Sequence, residues 1–224
     1  MNESAPELVL YGYWRSSSAY RVRIALNLKG IEYRHEAVHL VRGGGEQHSE
    51  AYRRLNPMGL VPALVQGDRV IVESLAICEF LEEQFPHPPL LPAAPAARAR
   101  VRSLALSIAC GIQPLANLGI LNYLKSRLGV DEAGVGHWYG HWVERGFSAF
   151  ETWIGEGGES GAFCHGDEPG LADCFLVPQV YNAERFGCDL GPYPRIREIT
   201  ARCRRLDAFD AAAPENQPDA PEAA

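Results

Sequence analysis

An α/β sandwich followed by an all-helical half is the fold class this sequence predicts. Three observations predict it. Short apolar runs alternate with helical periodicity over about the first eighty-five residues. A cluster of prolines follows, Pro86, Pro88, Pro89, Pro92 and Pro95, too dense to continue a helix and typical of a domain boundary. Beyond it the pattern is helical almost everywhere.

Leu8 to Tyr13 (L-V-L-Y-G-Y) reads as a buried strand. From Ala19, apolar positions at Val22, Ala25 and Leu26 fall at helical spacing, and Lys29-Gly30 ends the helix with Gly as a left-handed cap. Glu32 to Val38 alternates as a second strand. That strand–helix–strand unit implies a parallel pair with a right-handed crossover. Glu50 to Leu55 is a short helix stopped by Asn56-Pro57-Met58-Gly59. Val61 to Val65 and Arg69 to Val72, joined through Gly67-Asp68, suit an antiparallel hairpin. Pro62 opens the first of these strands, where proline is tolerated and a cis peptide would be unsurprising. Ser74 to Phe85 is amphipathic, with Leu75, Ile77, Cys78 and Leu81 on one face. The order βαβαββα describes a thioredoxin-like domain.

In the second half, Arg98 to Leu128 reads as one long helix, bent near Gly111 or Pro114. Asp131 to Ile154, Leu171 to Glu184 and Pro194 to Phe209 are the other helices. Ala211 to Ala224 is rich in Pro, Ala and acid and is expected to fray into solvent. The expected domains are therefore 1–87, thioredoxin-like; 88–212, all-helical; and 213–224, a disordered tail.

With 224 residues, 46% hydrophobic and 22% charged, the composition is that of an ordinary globular protein. The net charge of −7 repels phosphate backbones and anionic lipid, which makes nucleic acid and membrane poor partners. No uninterrupted apolar stretch is long enough to span a bilayer. Six cysteines without C-x-x-C spacing, and no signal-peptide core after Met1, point to reduced thiols in a cytoplasmic protein.

The chemistry concentrates where the first strand hands over to the first helix. Arg15, Ser16, Ser17 and Ser18 occupy that junction, beside the unpaired N–H groups and positive end of the helix. One Ser suffices as an N-cap. Three in a row, flanked by Arg15, Arg21 and Arg23, make a site for an anion or a thiolate. The Gly43-Gly44-Gly45 loop is either a plain surface loop or a mobile lid whose Gln47 or His48 reaches a ligand. His137 and His141 have metal-ligand spacing, but with no third ligand nearby they read as surface histidines beside Trp138 and Trp142. Asp173, in G-L-A-D, reads as a helix-capping residue.

The motif S-S-S-A-Y-R-V-R-I-A-L-N-L-K-G closely resembles the signature of the zeta-class glutathione transferases, S-S-C-x-W-R-V-R-I-A-L followed by K-G. N-P-M-G-L-V-P-A-L, E-S-L-A-I-C-E-F-L-E-E, G-I-Q-P-L-A-N-L and V-P-Q-V-Y-N-A-E-R-F match the same class in the same order. The resemblance covers essentially the whole chain. It implies a glutathione site in which Ser16 faces the sulfur with Ser17, and then Ser18, beside it. Val61, before a cis Pro62, pairs its backbone with the cysteinyl part; Glu73 and Ser74 hold the γ-glutamyl end, Ser74 also capping its helix; Gln47 contacts the glycine end. Gln113 and Asn117 match positions where the helical domain reaches over the site. Arg185 matches an arginine associated with the substrate carboxylate, and Arg15 is placed to help.

This sequence also departs from the family pattern. Ser18 stands where many relatives carry Cys, Gly59 replaces a commoner Lys or Gln, and Gly170 takes the place of a Ser or Thr cap. The implied reaction is cis-to-trans isomerisation of maleylacetoacetate, a dicarboxylate, by transient thiolate addition, with glutathione as a recovered cofactor and no metal. Maleylpyruvate isomerisation uses the same chemistry; members with that activity tend to carry an extra arginine where this chain has Leu118 and Gly119. A broader transferase acting on haloacids or peroxides, and a non-catalytic interaction module, are the other readings. The resemblance also implies a homodimer.

Overall fold

The structure is a computed structural model that describes residues 7–221. It divides into two compact units: one runs to Pro89 and takes in the chain from Leu206 onward, the other is Leu90–Arg205.

The first unit is built on a four-stranded sheet of order β2-β1-β3-β4, formed by β1 (Leu8–Gly12), β2 (Arg34–Ala37), β3 (Ala63–Gln66) and β4 (Arg69–Val72). β2 lies parallel to β1, which α1 (Ser17–Leu28) makes possible by crossing over between them. β3 pairs antiparallel with both β1 and β4, and the two-residue turn Gly67-Asp68 closes the hairpin with Gly67 at φ +59°. Strand alternation separates two faces. Tyr11 meets the ring of Tyr52, on α2 (Glu50–Leu55), at 6.4 Å. On the other face, a Cβ at Gly12 would sit 3.1 Å from the Ala19 methyl. Glycine there lets α1 press its first turn against the end of β1. Helix α3 (Ser74–Gln84) packs beside α1. Lys29, at the end of α1, is buried and donates to Glu82 Oε2 (2.8 Å) and to the carbonyls of Phe85 (2.7 Å) and Pro88 (2.9 Å). It ties the ends of the two helices together.

The C-terminal segment corrects one expectation. Residues 213–221 do not fray into solvent; with α9 (Asp207–Asp210) they pack on the first unit, and 222–224 lie outside the described residues. Phe209 and Ala212 are fully buried, and that apolar anchoring outweighs a composition that looks disordered. The expected helix Pro194–Phe209 is accordingly split into α8 (Pro194–Cys203) and α9.

The second unit is helical. The long helix expected over 98–128 is broken rather than bent: α4 (Pro95–Gly111) and α5 (Leu118–Leu128) are separated by a 3-10 turn, Gln113–Ala116. Pro114 removes an N–H from that turn, and Asn117 starts a fresh helix by accepting the N–H of Ile120 at 2.9 Å. By length and composition, Pro95–Leu128 is apolar enough to cross a membrane, which counting uninterrupted runs misses. Here the apolar face of α4, with Val101, Leu104, Ala105 and Ile108, is buried and packs on α7 (Leu171–Arg185). α6 (Glu132–Gly155) completes the bundle, with Tyr139, Val143, Phe147 and Phe150 inside and His137 and His141 exposed. Asp173 caps α7 as expected: Oδ2 accepts the N–H of Gly170 at 2.9 Å and Oδ1 that of Cys164 at 3.0 Å. Burial raises its pKa, against the pull of those two donors.

Candidate active site

β1 ends in a tight turn. Ser16 N–H donates to the Tyr13 carbonyl at 2.9 Å, which folds Trp14 and Arg15 outward before α1 begins. Ser16 is the N-cap, and its Oγ accepts the N–H of Ala19 at 3.2 Å. The hydroxyl therefore spends a lone pair on the helix and keeps its proton. Ser17 is buried, while Ser16 and Ser18 are half-buried. Of the three serines, the structure turns Ser17 inward.

The flanking arginines do not act together. Arg21 and Arg23 are almost fully buried, so only Arg15 offers a surface charge at this turn; its guanidinium carbon lies 5.2 Å from the Trp14 ring centroid. Arg21 Nη1 donates to Ser74 Oγ at 3.2 Å. Arg23 Nη2 and Nη1 reach the carbonyls of Trp14 (2.9 Å) and Tyr13 (3.5 Å). Desolvation lowers the Arg23 pKa to about 10, which leaves it charged at neutral pH. The sequence shows only that these arginines are near in the chain; the helix decides that two of them point into the protein.

A peptide ligand finds a suitable edge in the first unit. The Val61–Pro62 bond is cis, and Val61, just ahead of β3, is half-exposed. Among the described residues its N–H and C=O have no hydrogen-bond partner, so they are available to a short extended peptide. At the start of α3, Glu73 has φ +69°, a conformation that costs a non-glycine residue roughly 1–3 kcal/mol. Its exposed carboxylate makes no side-chain cap. The N-cap of α3 is Glu73 rather than Ser74, the first residue of the helix, which corrects the expected capping role: Ser74 Oγ is occupied by Arg21 instead. The helix thus presents uncapped N–H groups, suited to a carboxylate, beside a carboxylate suited to an ammonium. An amino-acid headgroup such as the γ-glutamyl end of glutathione carries both charges, and the residues fit it.

Gln47 is packed inside its own loop. Its Nε2 donates to the Leu40 carbonyl at 3.3 Å and its Oε1 is buried without a partner among the described residues. The loop is laced: Glu46 Oε2 accepts the His39 N–H at 2.7 Å, and His39 Nδ1 accepts that of Arg42 at 2.8 Å. Such bonding suits a fixed wall better than a mobile lid. In the second unit, Gln113 lies in the 3-10 turn and Asn117 spends its side-chain oxygen on capping α5. Arg185 is exposed in the last turn of α7 and donates to Asn182 Oδ1 at 3.0 Å.

The family model for the glutathione S-transferase N-terminal domain matches residues 10–89. Over 215 residues the chain is 50% identical to the maleylacetoacetate isomerase of Pseudomonas aeruginosa, covering 96% of this chain and 99% of that one. A holo structure of a bacterial maleylpyruvate isomerase of the zeta class superposes with a TM-score of 0.92 at 49% identity, covering 95% of this chain and all of the other. The maleylacetoacetate isomerase of Anaeromyxobacter dehalogenans with bound glutathione gives a TM-score of 0.86 at 46% identity and covers 97% and 99% of the two chains. The same enzyme is also known with dicarboxyethyl glutathione and citrate in its active site.

Proposed function

The chain belongs to the glutathione S-transferase family, among its zeta-class members, and from that premise we propose that it catalyses the glutathione-dependent cis–trans isomerisation of maleylacetoacetate. The observation that carries the reading is the state of Ser16: capped onto α1 through its oxygen, with its proton left to donate to an anion.

Glutathione, when bound, supplies a thiolate nucleophile that adds reversibly to a conjugated double bond, so that the bond can rotate. The protein has to keep that sulfur ionised. A free thiol titrates near ~8.5, and one pKa unit corresponds to about 1.4 kcal/mol. A charge-assisted hydrogen bond from Ser16 is worth roughly 1.5–3 kcal/mol, and the α1 terminus adds about 0.3–1. Together they suffice to ionise the thiol at neutral pH. Val61 would align the peptide through its backbone; Glu73, Ser74 and the open α3 terminus would hold the headgroup. Ser17 supports the turn from inside, and Ser18 lines it in place of a cysteine. Arg15, with its charge at the surface of the turn, would take a substrate carboxylate, and we assign the same task to Arg185. Gln113 and Asn117 stay in the proposal on resemblance, as does Gln47, whose buried amide would have to turn outward.

A second reading, maleylpyruvate as the substrate, is kept because a maleylpyruvate isomerase structure is among the matches. Against it stands Leu118, exposed at the head of α5 where that activity tends to go with an arginine. An assay of both diacids side by side, with and without glutathione, decides: glutathione-dependent turnover preferring maleylacetoacetate is expected. A rate indifferent to glutathione would sink the reading, and failure to bind a glutathione resin would point to an interaction module instead. We further propose a homodimer, supported by the exposed apolar side chains Met58, Leu60 and Val70 on the first unit; sedimentation velocity measures it. Cytoplasmic residence is proposed because Cys78, Cys164, Cys174 and Cys203 are buried core residues outside any disulfide.

A further inference from the structure

The turn that carries Ser16 is held from the far end of the chain. The second residue of the turn is Trp14. The Trp14 N–H donates to Asp219 Oδ2 at 2.9 Å, and the Trp14 carbonyl accepts from Arg23 Nη2 at 2.9 Å. Arg23 Nε in turn donates to the Ala212 carbonyl at 3.0 Å. Both main-chain polar groups of Trp14, its N–H and its carbonyl, are thus fixed by the C-terminal segment, once directly and once through Arg23. The segment is itself anchored: Phe209 and Ala212 are fully buried, and Asn27 Nδ2, on α1, donates to the Ala208 carbonyl at 3.0 Å. Gln217 Nε2 closes it on itself by donating to the carbonyls of Ala211 (2.9 Å) and Ala213 (2.8 Å).

Asp219 is oriented as well as anchored. Its Oδ1 lies 3.1 Å from His35 Nε2, in the middle of β2, and both side chains are nearly buried, at 9% and 13% exposure. A carboxylate beside a thiolate site would ordinarily oppose the second anion. Here Asp219 Oδ1 faces His35 Nε2 and the charge of the nearby Arg23 offsets its own, so it can bind a main-chain N–H without repelling what sits at the turn.

We infer that Asp219 is a positioning residue for Ser16: by holding the Trp14 N–H it fixes the turn that aims the Ser16 hydroxyl at the sulfur of bound glutathione. This rests on the function proposed above. Nothing in the local sequence of the turn supplies the constraint, because Trp14 and Arg15 are ordinary residues in it and the acceptor is 205 positions away. A hydrogen bond that stabilises an anion depends steeply on its direction, so loosening the turn should weaken ionisation of the thiol more than it weakens binding of the tripeptide.

The test compares the full-length protein with D219A, D219E and S16A. The bound thiol is titrated by its ultraviolet thiolate absorbance, and glutathione affinity, melting temperature and the pH dependence of kcat are measured alongside. D219A is expected to bind glutathione within about threefold of wild type. Its thiol titration should shift upward by about one pH unit, with kcat about two- to fivefold lower at neutral pH and recovered in alkali. If D219A does not fold, D219E decides; it keeps the charge but displaces the carboxylate by one methylene, and a partial upward shift is expected. An unmoved titration and pH profile in the folded variant, against an active wild type that loses thiolate in S16A, overturns the inference alone. A wild type without glutathione-dependent turnover removes the functional reading and this inference with it.

Discussion

Ser16 uses its one hydroxyl twice, as acceptor for the helix and as donor toward a ligand, and the two uses predict different losses. S16A gives up a cap worth about 0.5–2 kcal/mol and a charge-assisted bond worth roughly 1.5–3 kcal/mol. The expected result is a modest fall in unfolding midpoint and a kcat lower by about 10- to 100-fold at neutral pH. S17A, at a buried position, should leave the thiol titration in place. Should S17A rather than S16A raise it, the roles are reversed. Glu73 carries a second residue-scale prediction. Its positive φ costs roughly 1–3 kcal/mol, which glycine would relieve against an unfolded-state penalty of about 0.4–1 kcal/mol. E73G should therefore gain about 1 kcal/mol in urea unfolding while glutathione affinity falls; a variant that loses stability would show the conformation is not strained. Strain of this kind is invisible in the sequence, where Glu73 looks like any residue before a helix.

Among the elements, α7 depends most on one side chain. Asp173 accepts from Gly170 and Cys164 with its two oxygens, and glycine at the N-cap has no side chain to help. Removing the carboxylate orphans the buried Cys164 N–H and the half-buried Gly170 N–H, at roughly 1–3 kcal/mol each. D173A is expected to lose ~2–5 kcal/mol in equilibrium unfolding, with no change in the thiol titration, while D173N, which keeps one acceptor, should lose less. Element types and most boundaries were readable from periodicity, because each strand and helix pays for its conformation with its own buried face. The misreadings came where one period ran across a break. The apolar spacing of 98–128 continues through Gln113–Ala116 although the backbone does not, and the same happens between α8 and α9.

For the whole molecule, the return of the C-terminal segment to the first unit makes stability depend on a contact between distant parts of the chain. Burial works to raise the Asp219 pKa, but His35 and the Trp14 N–H outweigh it and hold it below the ordinary value. A carboxyl depressed in the fold adds stability that is complete above its unfolded pKa, ~3.9, and is lost as pH falls through the lower folded value. Melting temperature measured from pH 6 downward should therefore fall less steeply in D219N than in wild type. Equal slopes would mean that the pair contributes nothing to acid stability.

The sequence by itself determined the order of elements, the cis-proline strand and the serine-rich head of the first helix, since periodicity, proline and capping act over a few residues and are written locally. Only the tertiary structure decided that Arg21 and Arg23 are buried struts rather than surface charges, that Ser74 is held by Arg21, and that Asp219 reaches Trp14. Those facts depend on which side chains the fold brings together across many positions, and a side chain's partner is set by packing, about which its neighbours in the chain carry no information.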